Sequence, residues 1–263
     1  MTRPHTVSTL LRVAFQIAWL IMALTAVGWA QVPVPAQPAA PFQIVDNSFL
    51  VEEAFNQEAG IFQNIFSFRR SADRVWNASF TQEWPVGGIR HQFSYTLAFE
   101  GDGVTHGIGD AFINYRLQVL GGSSGRLALA PRLSLIVNGR DKAEGLKSGT
   151  MGLQVNLPLS KQLGDVYLHW NVGFTRMAGS GIHKTVPALG ISSIWRAKPM
   201  FHPLVEVLAE SDEGTTVTVS PGFRTGLNFG DKQVVVGFAV PIEMNASNTR
   251  TAAFAYFSYE LPF

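Results

Sequence analysis

Nine ionisable residues fall on the polar register of otherwise apolar segments: Glu83, Asp110, Arg116, Arg132, His169, Glu206, Glu210, Arg224 and Glu260. In a strand, successive side chains point to opposite faces, so residues two apart share a face. These groups therefore converge on one side of a sheet, opposite its Phe, Leu and Val. Around an enclosed space such a set can act as a charged constriction that selects solutes. The same set can equally pair across a narrow interior as a salt-bridged core, and the two readings are compatible. His169 shares its face with Tyr167 and Asn171, and a membrane-embedded hydrolase needs Ser, His and an orienting polar group in mutual reach. Ser and Asn are plentiful on these faces, so their presence carries little weight. No GxSxG elbow, HExxH motif or metal-spaced cluster occurs. No catalytic, metal-ligating or cofactor-binding residue is assigned, and no cofactor is expected. Gly101–Asp102–Gly103 reads as a turn without the acidic spacing of a calcium loop. His91 reads as an outward, interfacial residue near a strand end.

The elements that must position these residues are strands. The closing stretch TAAFAYFSYELPF puts Ala253, Ala255, Phe257, Tyr259, Leu261 and Phe263 on one face, and Phe254, Tyr256, Ser258 and Glu260 on the other. An apolar face running to a terminal Phe suits the last strand of an outer-membrane β-barrel. Alternation begins near Gly60. It predicts strands at about 60–69, 75–84, 90–99, 108–119, 126–137, 149–160, 165–176, 185–196, 201–210, 215–227 and 232–242, with the terminal strand as the twelfth. Most are near the length a tilted strand needs to cross a bilayer. The outward faces carry Phe, Trp and Tyr near strand ends, as an aromatic girdle requires. An even count suits a bacterial barrel with both ends periplasmic. Short connections such as 85–89, 161–164 and 197–200 then form periplasmic turns. Longer ones at 100–107, 138–148 and 243–250 face outward.

Composition agrees. The 263 residues are only 15% charged with mean hydropathy +0.14, yet after residue 30 no apolar run approaches the ~20 residues of a spanning helix. Cysteine is absent, which excludes a disulfide framework and a thiol nucleophile. Residues 1–30 have a basic start (Arg3, Arg12), an apolar core from Val13 to Val27 and small residues at Gly28 and Ala30, and so read as a cleaved signal peptide. Without them the formal charge moves from +1 to −1, which leaves no electrostatic footprint for nucleic acid. Residues 31–41 are a Pro/Ala linker. Residues 42–59, with Glu52, Glu53 and Glu58, either hang in the periplasm or fold back as a plug.

Three stretches, FLVEEAFNQEAGIFQNIFSF (49–68), SFTQEWPVGGIRHQFSYTL (79–97) and GIGDAFINYRLQ (107–118), resemble the MetA-pathway phenol-degradation (transporter-like) family of bacterial outer-membrane proteins. Gly107 to Asp110 carries the resemblance most specifically. The family tends to show Pro-Thr-Gly after its fifth strand, where this chain has Asn138-Gly139. The resemblance implies an all-β, antiparallel up-and-down transmembrane barrel in the outer membrane of a Gram-negative bacterium, passing small hydrophobic or aromatic solutes. Its expected partners are outer-membrane lipid and lipopolysaccharide, small-molecule solutes, and the barrel-assembly machinery through the strand ending at Phe263. A structural or surface-binding barrel with a closed lumen, and a barrel-embedded lipid hydrolase, are the alternatives.

Overall fold

The computed structural model describes Ile44 and residues 48–121, 127–137, 151–179, 182–229 and 232–262. The signal segment 1–30, the linker 31–41, the loop 138–148 and the terminal Phe263 lie outside the described residues. Fourteen antiparallel segments form one sheet that closes when β1 (Ile61–Ser71) pairs with β14 (Thr249–Pro262), from Ile61 opposite Pro262 to Ser71 opposite Ala252. No helix occurs among the described residues.

The barrel wall has twelve strands, because two of them are each split at a proline. Proline cannot donate to a ladder. Pro131 separates β5 (Leu127–Leu129) from β6 (Arg132–Val137), and both pair with β7 (Met151–Leu163). Pro241 likewise separates β12 (Lys232–Ala239) from β13 (Ile242–Met244), both paired with β14. The other wall strands are β2 (Trp76–Pro85), β3 (His91–Gly101), β4 (His106–Leu117), β8 (Val166–Gly179), β9 (Ile182–Trp195), β10 (Phe201–Ser211) and β11 (Thr215–Phe229). Each predicted strand has its counterpart. The observed ones mostly run two or three residues longer at one end, because the ladders continue into tight turns such as Gly164–Asp165. A bulge between Leu97 and Phe99 shifts the register with β4 and sets Asp110 in the irregularity.

The two faces differ as alternation dictates. Phe66, Phe68, Leu133, Leu135, Val172, Leu189, Phe223 and Phe238 are exposed on the outside. Water would penalise so broad an apolar surface, and hydrocarbon would not. Aromatic residues pack in tilted pairs along it, with Phe66 4.8 Å from Phe80 and Trp84 5.4 Å from Tyr95. His91 lies on this outer face, its Nδ1 2.6 Å from the Tyr115 hydroxyl. Asn64 and Gln82, in register on neighbouring strands, also occupy outward positions, and Gln82 Nε2 donates to Asn64 Oδ1 at 2.7 Å. The inner face buries Gln63, Gln92, Asn114, Arg116, His169, Glu206, Ser220 and Arg224.

Candidate functional site

The lumen is occupied by the chain's own residues 48–57. This segment has no regular structure, so its backbone N–H groups need partners from elsewhere. The barrel wall supplies them. The Glu206 carboxylate accepts from Phe49, Leu50 and Val51 N–H at 2.9–3.1 Å. Asn171 Oδ1 accepts from Glu52 N–H at 2.8 Å and Ser160 Oγ from Ala54 N–H at 2.7 Å. Gln118 Oε1 accepts from Asn56 N–H at 3.0 Å and Gln92 Oε1 from Gln57 N–H at 2.6 Å.

Arginines hold the segment from the other side. Arg116 is buried. Its Nε donates to Asn56 Oδ1 at 2.9 Å, and its terminal nitrogens reach Glu52 Oε1, the Glu53 carbonyl and the Phe55 carbonyl. Arg132 Nε donates to Glu52 Oε2 at 2.8 Å. Glu52 thus bridges two guanidiniums and accepts from Asn156 Nδ2 at 2.7 Å. Burial alone would push its pKa up, but the Arg132 and Arg116 charges outweigh that and hold it below the usual carboxylate range.

Apolar contacts complete the fit. Phe49 packs 5.3 Å from Phe254 and 5.2 Å from Tyr256. Phe55 sits edge-on to Tyr167 and His169, each 6.3 Å away. Three glycines make room. A Cβ on Gly237 would strike the Phe49 ring, one on Gly226 would lie 2.8 Å from Ile44 Cγ1, and one on Gly190 would lie 3.0 Å from Val51 Cγ2. What the segment leaves open is a cavity of about 270 Å³ against β1–β4 and β6, lined among others by Glu83, Arg116 and Arg132.

The sequence-selected residues divide accordingly. Arg116, Arg132 and Glu206 grip the segment. Glu260 accepts a long 3.4 Å bond from Gln57 Nε2. Arg224 is buried, in register with His202. Glu83 lines the cavity. Asp110 sits at the bulge, with its Oδ1 buried and without a hydrogen-bond partner among the described residues. Glu210 stands apart. It lines a second cavity of about 330 Å³ with Asp212, Glu243 and Arg250, at the barrel end away from the described chain ends.

His169 Nδ1 does meet a serine, Ser160 Oγ at 2.7 Å. Both are buried, and Ser160 is already an acceptor for the segment's backbone. Asn171 is committed to Glu52 on both its oxygen and its nitrogen. The pair serves to seat the segment under Phe55. Sequence reasoning missed Glu52, Gln92, Gln118, Asn156 and Ser160 as site residues. Uncharged amides on an inward face were the available signal. Glu52 gave none, because it lies in no alternating pattern.

No protein-family model matches the sequence, and no curated protein matches it. The solved structures include three similar barrels. The COG4313 outer membrane channel from Pseudomonas putida F1 shares 11% identity over 87% of this chain and 100% of its own, with a TM-score of 0.62. The β-domain of the Bordetella autotransporter BrkA shares 15% identity over 79% of this chain and 100% of its own, with a TM-score of 0.43. The outer membrane protein OpdK from Pseudomonas aeruginosa shares 10% identity over 79% of this chain and 68% of its own, with a TM-score of 0.42. At such identities the likeness to the first shows the fold, and the other two add nothing to it. The fold is that of an outer-membrane β-barrel.

Proposed function

We propose that this chain is an outer-membrane pore for small solutes whose lumen is narrowed by its own N-terminal segment. The observation that carries the reading is the seating of residues 48–57. Their backbone is hydrogen-bonded to barrel side chains, yet a cavity of about 270 Å³ remains beside them. A barrel of about this size has an interior wider than one filled by its own side chains. The inward charges serve the segment first and the passage second. The outer apolar face, the closed wall and the solved outer membrane channel of like fold support the outer membrane of a Gram-negative bacterium, with both chain ends periplasmic. The same alternation supports recognition of the last strand by assembly machinery and contact of the outer face with lipid and lipopolysaccharide. The resemblance to the MetA-pathway family implies small hydrophobic or aromatic cargo. We read the chain as a non-enzyme, because the Ser160–His169 pair is buried beneath the segment.

A second reading, a closed barrel with a structural or surface-binding role, draws support from the density of bonds on the segment. Planar-bilayer recording separates the two. The full chain is expected to give a small steady conductance, and deletion of residues 48–57 a several-fold larger one. A barrel silent in both forms would remove the pore reading.

A further inference from the structure

We infer that the passage beside the segment selects small, uncharged, hydrogen-bonding solutes such as polyols, in preference to aromatic ones. This rests on the pore reading and departs from the hydrophobic or aromatic cargo that the resemblance implies. Residues 48–51 of the segment bond and pack against β9, β10 and β14, and the cavity they leave open faces the wall of β1–β4. That wall is lined by Ser67, Ser79, Thr81, Ser94, Thr96 and Asn114.

The hydroxyls are paired across strands. Ser67 and Ser79 lie 2.7 Å apart, Thr81 and Thr96 2.8 Å, and Asn114 Nδ2 donates to Ser94 Oγ at 3.1 Å. A hydroxyl has one donor and two acceptor lone pairs, so a hydroxyl–hydroxyl pair keeps one spare donor and spare acceptors on a surface already fixed in place. A solute with several hydroxyls can exchange its water for such a surface group by group, and little ordering is left to the moment of passage.

The charges beside this wall do not favour an anion. Arg116 and Arg132 both bond to Glu52, Glu53 lies 4.0 Å from Arg116, and Glu83 adds a further carboxylate to the lining. Nor does the wall favour a ring. The two aromatics of the cavity, Phe49 and Tyr256, are packed on each other at 5.2 Å on the opposite side. A ring sliding along β1–β4 would meet these hydroxyls, Ile65 and charged groups, and no aromatic face.

Proteoliposomes carrying the full chain test this by swelling in xylitol, sodium benzoate and benzylammonium chloride, with ion current recorded in parallel. Xylitol is expected to enter fastest. The double variant Thr81→Val, Thr96→Val keeps side-chain shape and strand preference. It should lower xylitol entry about fivefold, the size of one lost hydrogen bond, and leave ion current within twofold. Either aromatic ion outpacing xylitol, or an unchanged xylitol rate in the double variant, would overturn the solute class and leave the pore standing. Absence of both ion current and xylitol entry would overturn the pore and the solute class together.

Discussion

Two glutamates hold the lumenal segment in opposite ways. Glu206 is fixed in the wall and takes three consecutive backbone N–H groups of the segment. Glu52 belongs to the segment and takes two wall arginines. Hydrogen bonds to a charged group are stronger than neutral ones, and stranding a buried partner costs the full desolvation of that group. Glu206→Gln keeps the volume but turns an amide N–H toward the segment's own N–H groups. It should weaken the hold by about 2 kcal/mol and raise the time-averaged single-channel conductance. Glu52 sets a pH window. Its carboxyl in the folded chain titrates below 4.5, the value for a free glutamate, so its stabilisation is fully present above that value. It fades as pH falls through the lowered folded value. Conductance titrated from pH 7 to 3 should rise at the acid end, and Glu52→Gln should show the raised level throughout and a shallower acid rise. Arg116, Arg132 and Glu206 were legible in the sequence as inward charges because alternation assigns a face to each. Their partner was legible only as one of two alternatives for residues 42–59, since an irregular segment carries no periodicity and its position is set only by the wall it meets.

At the scale of elements, the segment and three glycines form a matched set. Gly190, Gly226 and Gly237 sit on inward positions, and each lies where a side chain would strike Val51, Ile44 or Phe49. Gly237→Val should therefore unseat Phe49 and enlarge the conductance without unfolding the barrel, since valine suits a strand. The outer face holds a second matched pair. Gln82 Nε2 donates to the buried Asn64 Oδ1 where neighbours are apolar or aromatic, while Asn64 Nδ2 has no partner among the described residues. Gln82→Leu alone strands a buried amide and should destabilise by about 1–3 kcal/mol. Asn64→Leu added to it should restore most of the loss. Thermal unfolding in detergent micelles, followed by gel mobility, reads both. Strand existence was readable because Phe, Leu and Val recur every second residue over ten or more positions. Strand ends were less so, because ladders run on into turns whose residues show no alternation. Glycine inside a strand has no side chain to pack, and the segment supplies the reason for these three.

For the whole molecule, the closed wall and the occupied lumen have separate causes. Closure follows from alternation along twelve strands and from the pairing of β1 with β14, and that much of the architecture is written in the order of residues. Pro131 and Pro241 split two strands without opening the wall, because the flanking segments keep their neighbours. Occupation follows from contacts between residues more than a hundred apart, such as Val51 with Glu206 and Ala54 with Ser160, and no local pattern reports those. The chain lacks cysteine, so an engineered pair reports this contact without interference. A Cβ on Gly190 would stand 3.0 Å from Val51 Cγ2, within reach of disulfide geometry. Oxidation of the folded Val51→Cys, Gly190→Cys variant in membranes should give a cross-linked, faster-migrating species in high yield, while Val51→Cys with Leu189→Cys, one residue along and facing outward, should give none. Equal cross-linking in both variants, or in neither, would contradict a segment lodged against that wall.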